Sequence, residues 1–401
     1  MDASSIRTIL LYAQDTRGMG HITRALTIAR HVLETYAHCV VYVVTRSRIA
    51  WNVSWPERCD YIKLPSRRTP PTIQQTSEQD EEGLEQFRSL RGQILMAAAL
   101  GLAPDLVLVD HEPLGSSGEF RDGLWALKQQ RPETRFVFGL RDIMDDPDRI
   151  CRQWRDMGVY DALENLYDGI AVFGSPHLYD VAKAYELPDS VRLKLHYCGY
   201  VVRDSPVVAP GEIRRQYGLP SNGRLIVASV GSGLDGSAVL RQARAAIARL
   251  QARDPDLTAI LVTGPFMPAQ ETATLHSLAN SRCLVVPSAD VFQLLEAADV
   301  AVCMGGYNTL CEGLVTACPM VIVPRATHKV EQLIRAELLA AHGLARCIHP
   351  EQVDEENLAE ALRWGLARDR RAQAQQVREV FPSFDGAAEL TGYLSPWLNG
   401  G

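Results

Sequence analysis

The sequence predicts an α/β protein made of two Rossmann-like domains, each a doubly wound parallel sheet. Three observations lead there. Short apolar runs alternate with stretches whose apolar residues recur at helical spacing, the pattern of repeated βα units. The series stops and restarts once, across Cys198 to Gly211 (CGYVVRDSPVVAPG), where prolines and small residues interrupt it. Each half also contains one apolar run that breaks at glycine just before a helix, at Gly18 to Arg24 and at Gly305 to Glu312. The expected division is residues 1–203, residues 204–380, and a last segment, 381–401, that crosses back onto the first domain.

At 401 residues, 46% hydrophobic and 22% charged, the chain has enough apolar side chains for two cores. A net charge of −7 argues against a general nucleic-acid surface, which needs clustered Lys and Arg. No apolar run approaches the roughly 18 residues of a membrane span. Met1 to Ile6 lacks the pattern of a signal peptide, so a cytoplasmic location is expected. Nine cysteines, scattered and mostly inside apolar runs, read as reduced core thiols. With no CxxC or HExxH, neither a metal nor a tightly held cofactor is expected.

In the first half, strand Thr8 to Ala13 ends in Asp15 to Arg24, and Ile22, Leu26, Ala29, Val32 and Leu33 then mark a helix. His21 sits where a glycine loop meets that helix, a place for a capping or phosphate-contacting histidine as well as for a base. The loop is not a GxGxxG fingerprint, because Thr23 occupies the third glycine position. Strands follow at His38 to Thr45 and Tyr61 to Leu64. Pro65 to Glu82, rich in proline and then in acids, reads either as a mobile loop over a ligand or as a solvated insertion. Leu84 to Leu102 carries a helical apolar pattern that favours a core helix over a membrane-facing one.

Pro104 to Val109 reads as a buried parallel strand ending at Asp110-His111-Glu112. Ligands of open parallel sheets sit beyond the carboxyl ends of strands, so these groups are expected to face the cleft that holds His21. Strand Arg135 to Leu140 leaves Arg141 and Asp142 to line the same cleft, while Asp146-Pro147 has the form of an N-cap and first turn. Strand Gly169 to Phe173 ends in Gly174-Ser175-Pro176.

The second half restarts with strand Leu225 to Val230, the loop Gly231-Ser232-Gly233-Leu234-Asp235-Gly236 and a helix from Ala238. Amides of that loop suit a phosphate. Strands are expected at Ala259 to Thr263 and Cys283 to Val286, the latter followed by Pro287-Ser288, with helices near Pro268 and Asp290. Strand Val300 to Cys303 then breaks at Gly305-Gly306 into the helix of Tyr307, Asn308 and Thr309. Such a helix start offers backbone N–H groups and about half a positive charge, and glycine lets a phosphate approach closely. Glu312, three residues after Thr309, shares its face and suits a ribose diol. Strand Met320 to Pro324 leads to a helix opening at Glu331-Gln332; Leu344 to Ile348 and terminal helices, Phe381 to Leu398 among them, complete the chain.

Residues 299–336 resemble the donor-sugar half of GT-B glycosyltransferases, nearest to the bacterial enzymes that add N-acetylglucosamine to the lipid-linked peptidoglycan precursor. Gly305 to Glu312 matches in length the run that binds diphosphate and ribose there, keeping Gly306, Thr309 and Glu312. Val323-Pro324 and Glu331-Gln332 keep the spacing of a sugar-facing polar pair, with Glu331 in place of a glutamine. Gly199 to Arg203 is similar to a Gly-x-x-Val-Arg whose arginine reaches the phosphates, and an interdomain ion pair is the other reading of Arg203. The resemblance implies that Gly231, Ser232 and Gly233 face the same diphosphate and that the turn at Ser288 lies beside the base.

Gly20-His21 resembles the end of the Gly-x-Gly-His that opens GT-B acceptor domains, where the histidine is the candidate general base of many inverting members. The resemblance implies Asp110 as its carboxylate partner, with His111 and Glu112 as adjacent alternatives. Much of the chain, including the Asp110 turn and Arg141 to Pro147, is also similar to a branch of predicted bacterial glycosyltransferases of uncharacterised acceptor. The expected function is an inverting, metal-independent transfer from a nucleotide-diphosphate sugar to a hydroxyl of a small metabolite, such as a natural-product or aminoglycoside-like core. UDP is the expected nucleotide, with dTDP and GDP open. Three alternatives remain at the level of sequence: a lipid-linked acceptor, an enzyme resembling UDP-N-acetylglucosamine 2-epimerase, and a non-catalytic nucleotide-sugar-binding protein.

Overall fold

The computed structural model describes residues 6–14, 20–47, 50–66, 77–206, 208–327, 329–381 and 383–399. The chain forms two compact units, one running up to Arg203 and resuming at Asp385, the other from Asp204 to Phe384. Residues 15–19 of the first glycine loop, with Gly18, and residues 67–76 of the proline-rich segment lie outside the described residues.

The first unit is built on seven strands: β1 (Arg7–Ala13), β2 (Cys39–Thr45), β3 (Cys59–Lys63), β4 (Leu106–Asp110), β5 (Arg135–Arg141), β6 (Gly169–Phe173) and β7 (Leu195–Tyr197). They run parallel in the order β3-β2-β1-β4-β5-β6-β7. Strands β4 and β6 are buried along their whole length, as expected of a parallel sheet covered on both faces. On one face Leu10, Tyr12, Val107 and Val109 pack with Leu95, Ala99, Leu124 and Leu127 of the neighbouring helices.

Helix Ser77–Leu102 corrects the reading of Pro65 to Glu82 as loop throughout. The run Ser77-Glu78-Gln79-Asp80-Glu81-Glu82 is polar, and polarity alone does not separate the first turns of a helix from a loop. Asp146 caps helix Pro147–Asp156, its carboxylate accepting from Arg149 N at 2.9 Å.

The second unit repeats the plan with β8 (Leu225–Ser229), β9 (Thr258–Val262), β10 (Cys283–Val286), β11 (Val300–Cys303), β12 (Met320–Ile322) and β13 (Ala345–Cys347). Its order is β10-β9-β8-β11-β12-β13, again parallel. In both sheets the order reverses beside the first strand, between β1 and β4 and between β8 and β11. Those are the topological switch points, where loops leave in opposite directions and open a crevice.

The last described segment belongs to the first unit. Thr391 O accepts from the Tyr36 hydroxyl at 3.1 Å, Leu398 O lies 2.9 Å from His38 Nε2, and His196 stacks on Tyr393 with ring centroids 4.3 Å apart. Gly169 makes room for this: a Cβ there would lie 2.1 Å from the Tyr393 hydroxyl oxygen. Gly169→Ala is therefore expected to lower the unfolding free energy by roughly 1–3 kcal/mol and to speed amide exchange in helix Gly386–Tyr393. Unchanged stability and protection would contradict this packing.

Candidate functional site

The first unit gathers its polar groups at the β1/β4 switch point. Asp110 is the last residue of β4, in register with Ala13 at the end of β1, and His21 is the second residue of the helix that follows β1, Gly20–Thr35. Their side chains meet: His21 Nδ1 lies 2.8 Å from Asp110 Oδ2. Arg24, one helical turn on from His21, closes the group. Its Nε donates to Asp110 Oδ1 at 3.0 Å, and Nη2 to Oδ1 and Oδ2 at 2.9 and 2.7 Å. The guanidinium also lies over the Phe173 ring, 5.7 Å from its centroid.

The chemistry of this cluster follows from its charges. Burial acts to raise the pKa of Asp110, but the Arg24 guanidinium and the hydrogen bond with His21 outweigh it and hold the carboxyl well below the usual range. The aspartate is therefore an anion, and an anion 2.8 Å from Nδ1 favours the Nδ1–H tautomer over the opposing pull of the Arg24 Nη2 donor, 3.0 Å from the same nitrogen. The basic lone pair of the imidazole then belongs to Nε2. Burial lowers the pKa of His21 to about 4; Asp110 opposes this, and Arg24 and Arg141 add to it. At neutral pH the ring is uncharged and able to accept a proton.

Around this pair the structure sorts the other candidates of the first unit. Gly20 opens the His21 helix. His111 follows Asp110 with a left-handed φ of 72°, a conformation that costs a non-glycine residue on the order of 1 kcal/mol. That turn sets its ring 4.9 Å from the His21 ring, with Arg141 Nη2 3.2 Å from its Nε2. Glu112 is half-buried, and its amide donates to Asp110 O at 2.9 Å. Asp142 corrects the expectation of a cleft-lining carboxylate. It is fully buried, its Oδ1 accepting from Ile143 N at 2.7 Å and its Oδ2 from the Tyr200 hydroxyl at 2.6 Å. A Cβ on Gly174 would lie 2.4 Å from Asp142 Cβ, so this glycine is needed for the packing of the aspartate.

In the second unit the β8/β11 switch point brings the two glycine loops together. Gly233, with φ 87°, has no room for a Cβ, which would lie 2.2 Å from Thr263 O; Ser232 O accepts from Phe266 N at 2.9 Å. Gly231 is exposed, with φ 64°. Gly305 turns the chain at φ 78° and Gly306 is the N-cap of helix Tyr307–Val315, so the N-cap residue itself puts no side chain at that helix start. Asn308 and Thr309 are half-buried and Glu312 is 7% exposed.

Tyr307 contributes its place at the helix start rather than its ring, which is buried beneath the Arg335 guanidinium at 5.8 Å. Glu331 and Gln332 open helix Glu331–Ala341, and Gln332 Oε1 accepts from Arg325 N at 2.9 Å. Glu331 Oε2 is enclosed with no hydrogen-bond partner among the described residues, an acceptor suited to a sugar hydroxyl. Ser288 is exposed in the turn after β10. Arg203, half-buried, is the last residue of the first unit before the chain enters the second.

Sequence reading missed three groups. Arg24 carried a usable signal, since spacing three from His21 puts it on the same helix face. Arg335, 3% exposed, donates to Gly305 O at 3.5 Å and braces the glycine turn from a different helix. Arg325 pairs with Asp235, 90 positions away, and nothing local announces that contact. Among the described residues no three His, Cys, Asp or Glu side chains cluster as metal ligands.

Residues 227–389 match the glycosyltransferase family 28 C-terminal domain. Over the chain as a whole, CalG4, the calicheamicin glycosyltransferase, superposes with a TM-score of 0.68 at 17% identity, covering 98% of each chain. The chain has the GT-B glycosyltransferase fold. A second GT-B structure, Phytolacca americana UGT2 complexed with UDP-2-fluoro-glucose and pterostilbene, gives a TM-score of 0.64 at 14% identity, covering 98% of this chain and 99% of that one.

Among curated proteins, this GT-B chain is 23% identical over 202 residues to an uncharacterized glycosyltransferase of Methanopyrus kandleri, half of this chain and 54% of that protein. A 66-residue stretch is 36% identical to the UDP-N-acetylglucosamine–N-acetylmuramyl-(pentapeptide) pyrophosphoryl-undecaprenol N-acetylglucosamine transferase of Shouchella clausii, 16% of this chain and 19% of that enzyme. The chain thus matches about half the length of the first relative and a fifth of the second.

The depressed pKa of His21 has a consequence for the stability of the GT-B chain. Between the ordinary value of 6.5 and about 4, the unfolded histidine takes up a proton and the folded one does not. Stability from this group is complete above pH 6.5 and is lost as the pH falls toward 4, by at most about 3 kcal/mol. Denaturant unfolding across that window should show a steeper pH slope for the parent than for His21→Gln; equal slopes would contradict a buried neutral imidazole.

Proposed function

We propose that this GT-B protein is an inverting, metal-independent glycosyltransferase that moves a sugar from a nucleotide-diphosphate sugar to a hydroxyl of a small metabolite. One observation carries the catalytic half of this reading. His21, neutral and held by Asp110 in the Nδ1–H tautomer, presents Nε2 as a base at the switch point of its sheet.

In the proposed step, Nε2 takes the proton of the acceptor hydroxyl as its oxygen bonds to the anomeric carbon from the side opposite the leaving group. The bond from that carbon to the diphosphate oxygen breaks, and the nucleoside diphosphate departs with the electron pair. Asp110 stabilises the imidazolium that results. Charge gathering on the diphosphate meets the start of helix Tyr307–Val315 and the loop amides of Gly231 to Gly233, with Arg203 as a further cation. Glu312 takes the ribose diol, and Glu331 and Gln332 take the sugar. UDP is the proposed nucleotide, supported by the Gly305 to Glu312 pattern and by the UDP-sugar complex of a fold neighbour. A small acceptor is supported by the pterostilbene of that complex and by the natural-product enzyme among the neighbours. Among the described residues no helix is long and apolar enough to cross a membrane.

Calorimetric titration with UDP, dTDP and GDP, followed by an acceptor screen on the preferred donor, tests the reading. Glu312→Gln is expected to weaken nucleotide binding about tenfold. His21→Ala is expected to leave binding unchanged and to lower turnover by a factor of about 10²–10⁴. Equal losses of both properties in both variants would refute separate roles. A donor converted to its epimer without acceptor, or bound and never turned over, would point to the epimerase or binding-protein reading. The pH profile of kcat/KM should stay level down to about pH 5 and fall toward 4, following the lowered pKa of His21.

A further inference from the structure

The geometry points to Arg325 as a ligand of the donor diphosphate, held by Asp235 until the nucleotide arrives. This inference rests on the nucleotide-sugar reading above. Asp235 lies in the loop after β8, and Arg325 lies three residues beyond the end of β12. The two strands are not neighbours, because β11 runs between them. With strands about 4.8 Å apart, the loops are based about 10 Å from each other. The ion pair nonetheless closes, Arg325 Nε donating to Asp235 Oδ2 at 2.7 Å and Nη2 lying 2.5 Å from the same oxygen. It therefore spans the carboxyl end of β11, where the chain turns through Gly305-Gly306 into its helix.

The base of this arginine is fixed at the site. Its amide donates to Gln332 Oε1, and Gln332 lies against the glycine turn, so that a Cβ on Gly305 would come within 3.6 Å of Gln332 Cβ. Its head is not buried, the two side chains being 37% and 45% exposed. A pair so exposed contributes little to stability and is readily exchanged. A diphosphate brings at least two negative charges and a fork of oxygens that matches the guanidinium better than one carboxylate oxygen does. Donor binding then exchanges Asp235 for phosphate at Arg325, and the displaced carboxylate withdraws to solvent. Asp235 keeps the empty site closed to weaker anions, and Arg325 adds a mobile cation to the fixed helix dipole.

A pair that merely tied two loops together would make the same prediction for both partners, and the exchange does not. Titration of the full-length protein with UDP should show Arg325→Ala weakening binding tenfold or more. Asp235→Ala should tighten it about threefold, because the arginine is released. The double variant should bind within twofold of Arg325→Ala alone. Three results would overturn the exchange: weakening by Asp235→Ala, no effect of Arg325→Ala, or equal tightening by Asp235→Ala in both backgrounds. If the parent binds none of UDP, dTDP and GDP, the nucleotide-sugar reading fails and this inference with it.

Discussion

A carboxylate at the buried end of a parallel strand is the constraint around which the first unit is arranged. Asp110, 3% exposed, lies where β4 leaves the sheet beside β1. An unpaired charge there would cost several kcal/mol, and the fold meets it with a guanidinium and an imidazole from one face of one helix. Arg24 supplies three hydrogen bonds and balances the charge, while burial keeps His21 neutral and Asp110 orients it. The arginine divides the tasks: one cation for the carboxylate, one neutral ring for the proton.

The two units apply one topological rule to different chemistry. Each sheet reverses its strand order beside its first strand, and in each the residues that carry the functional reading follow the strands flanking that reversal. In the first unit those residues are side chains with titratable groups. The second relies chiefly on glycine: Gly233 and Gly305 adopt positive φ where a Cβ would crowd its neighbours, and Gly306 brings no side chain of its own to its helix start. Fixed backbone dipoles do not titrate and need no reorganisation as charge develops, which suits a site for a leaving diphosphate.

Much of this was legible in the sequence, for identifiable reasons. The strands are continuous apolar runs because both sheet faces are covered, and the glycine turns interrupt them where the backbone requires it. His21 and Asp110 stand beside those breaks, so a reading that attends to strand ends finds them. Asp142 stands at a strand end too, yet it is sealed by Tyr200, 58 positions later, which strand position alone does not reveal. Arg335 and the Asp235 to Arg325 pair depend on loops brought together by the β8-β11-β12 order, a tertiary fact without a local signature. Helix Ser77–Leu102 was misread at its start because an acidic first turn and a solvated loop have the same composition.

The division of tasks between Arg24 and His21 is the central claim, and the ring nitrogens of His21 report it directly. Nitrogen-15 NMR of the selectively labelled protein, titrated from pH 7.5 to 4, reads both tautomer and protonation state. The account predicts a neutral ring with its proton on Nδ1 throughout most of that range, titrating near the value of about 4 that burial imposes. A ring protonated on both nitrogens at pH 7, or neutral with the proton on Nε2, would contradict it.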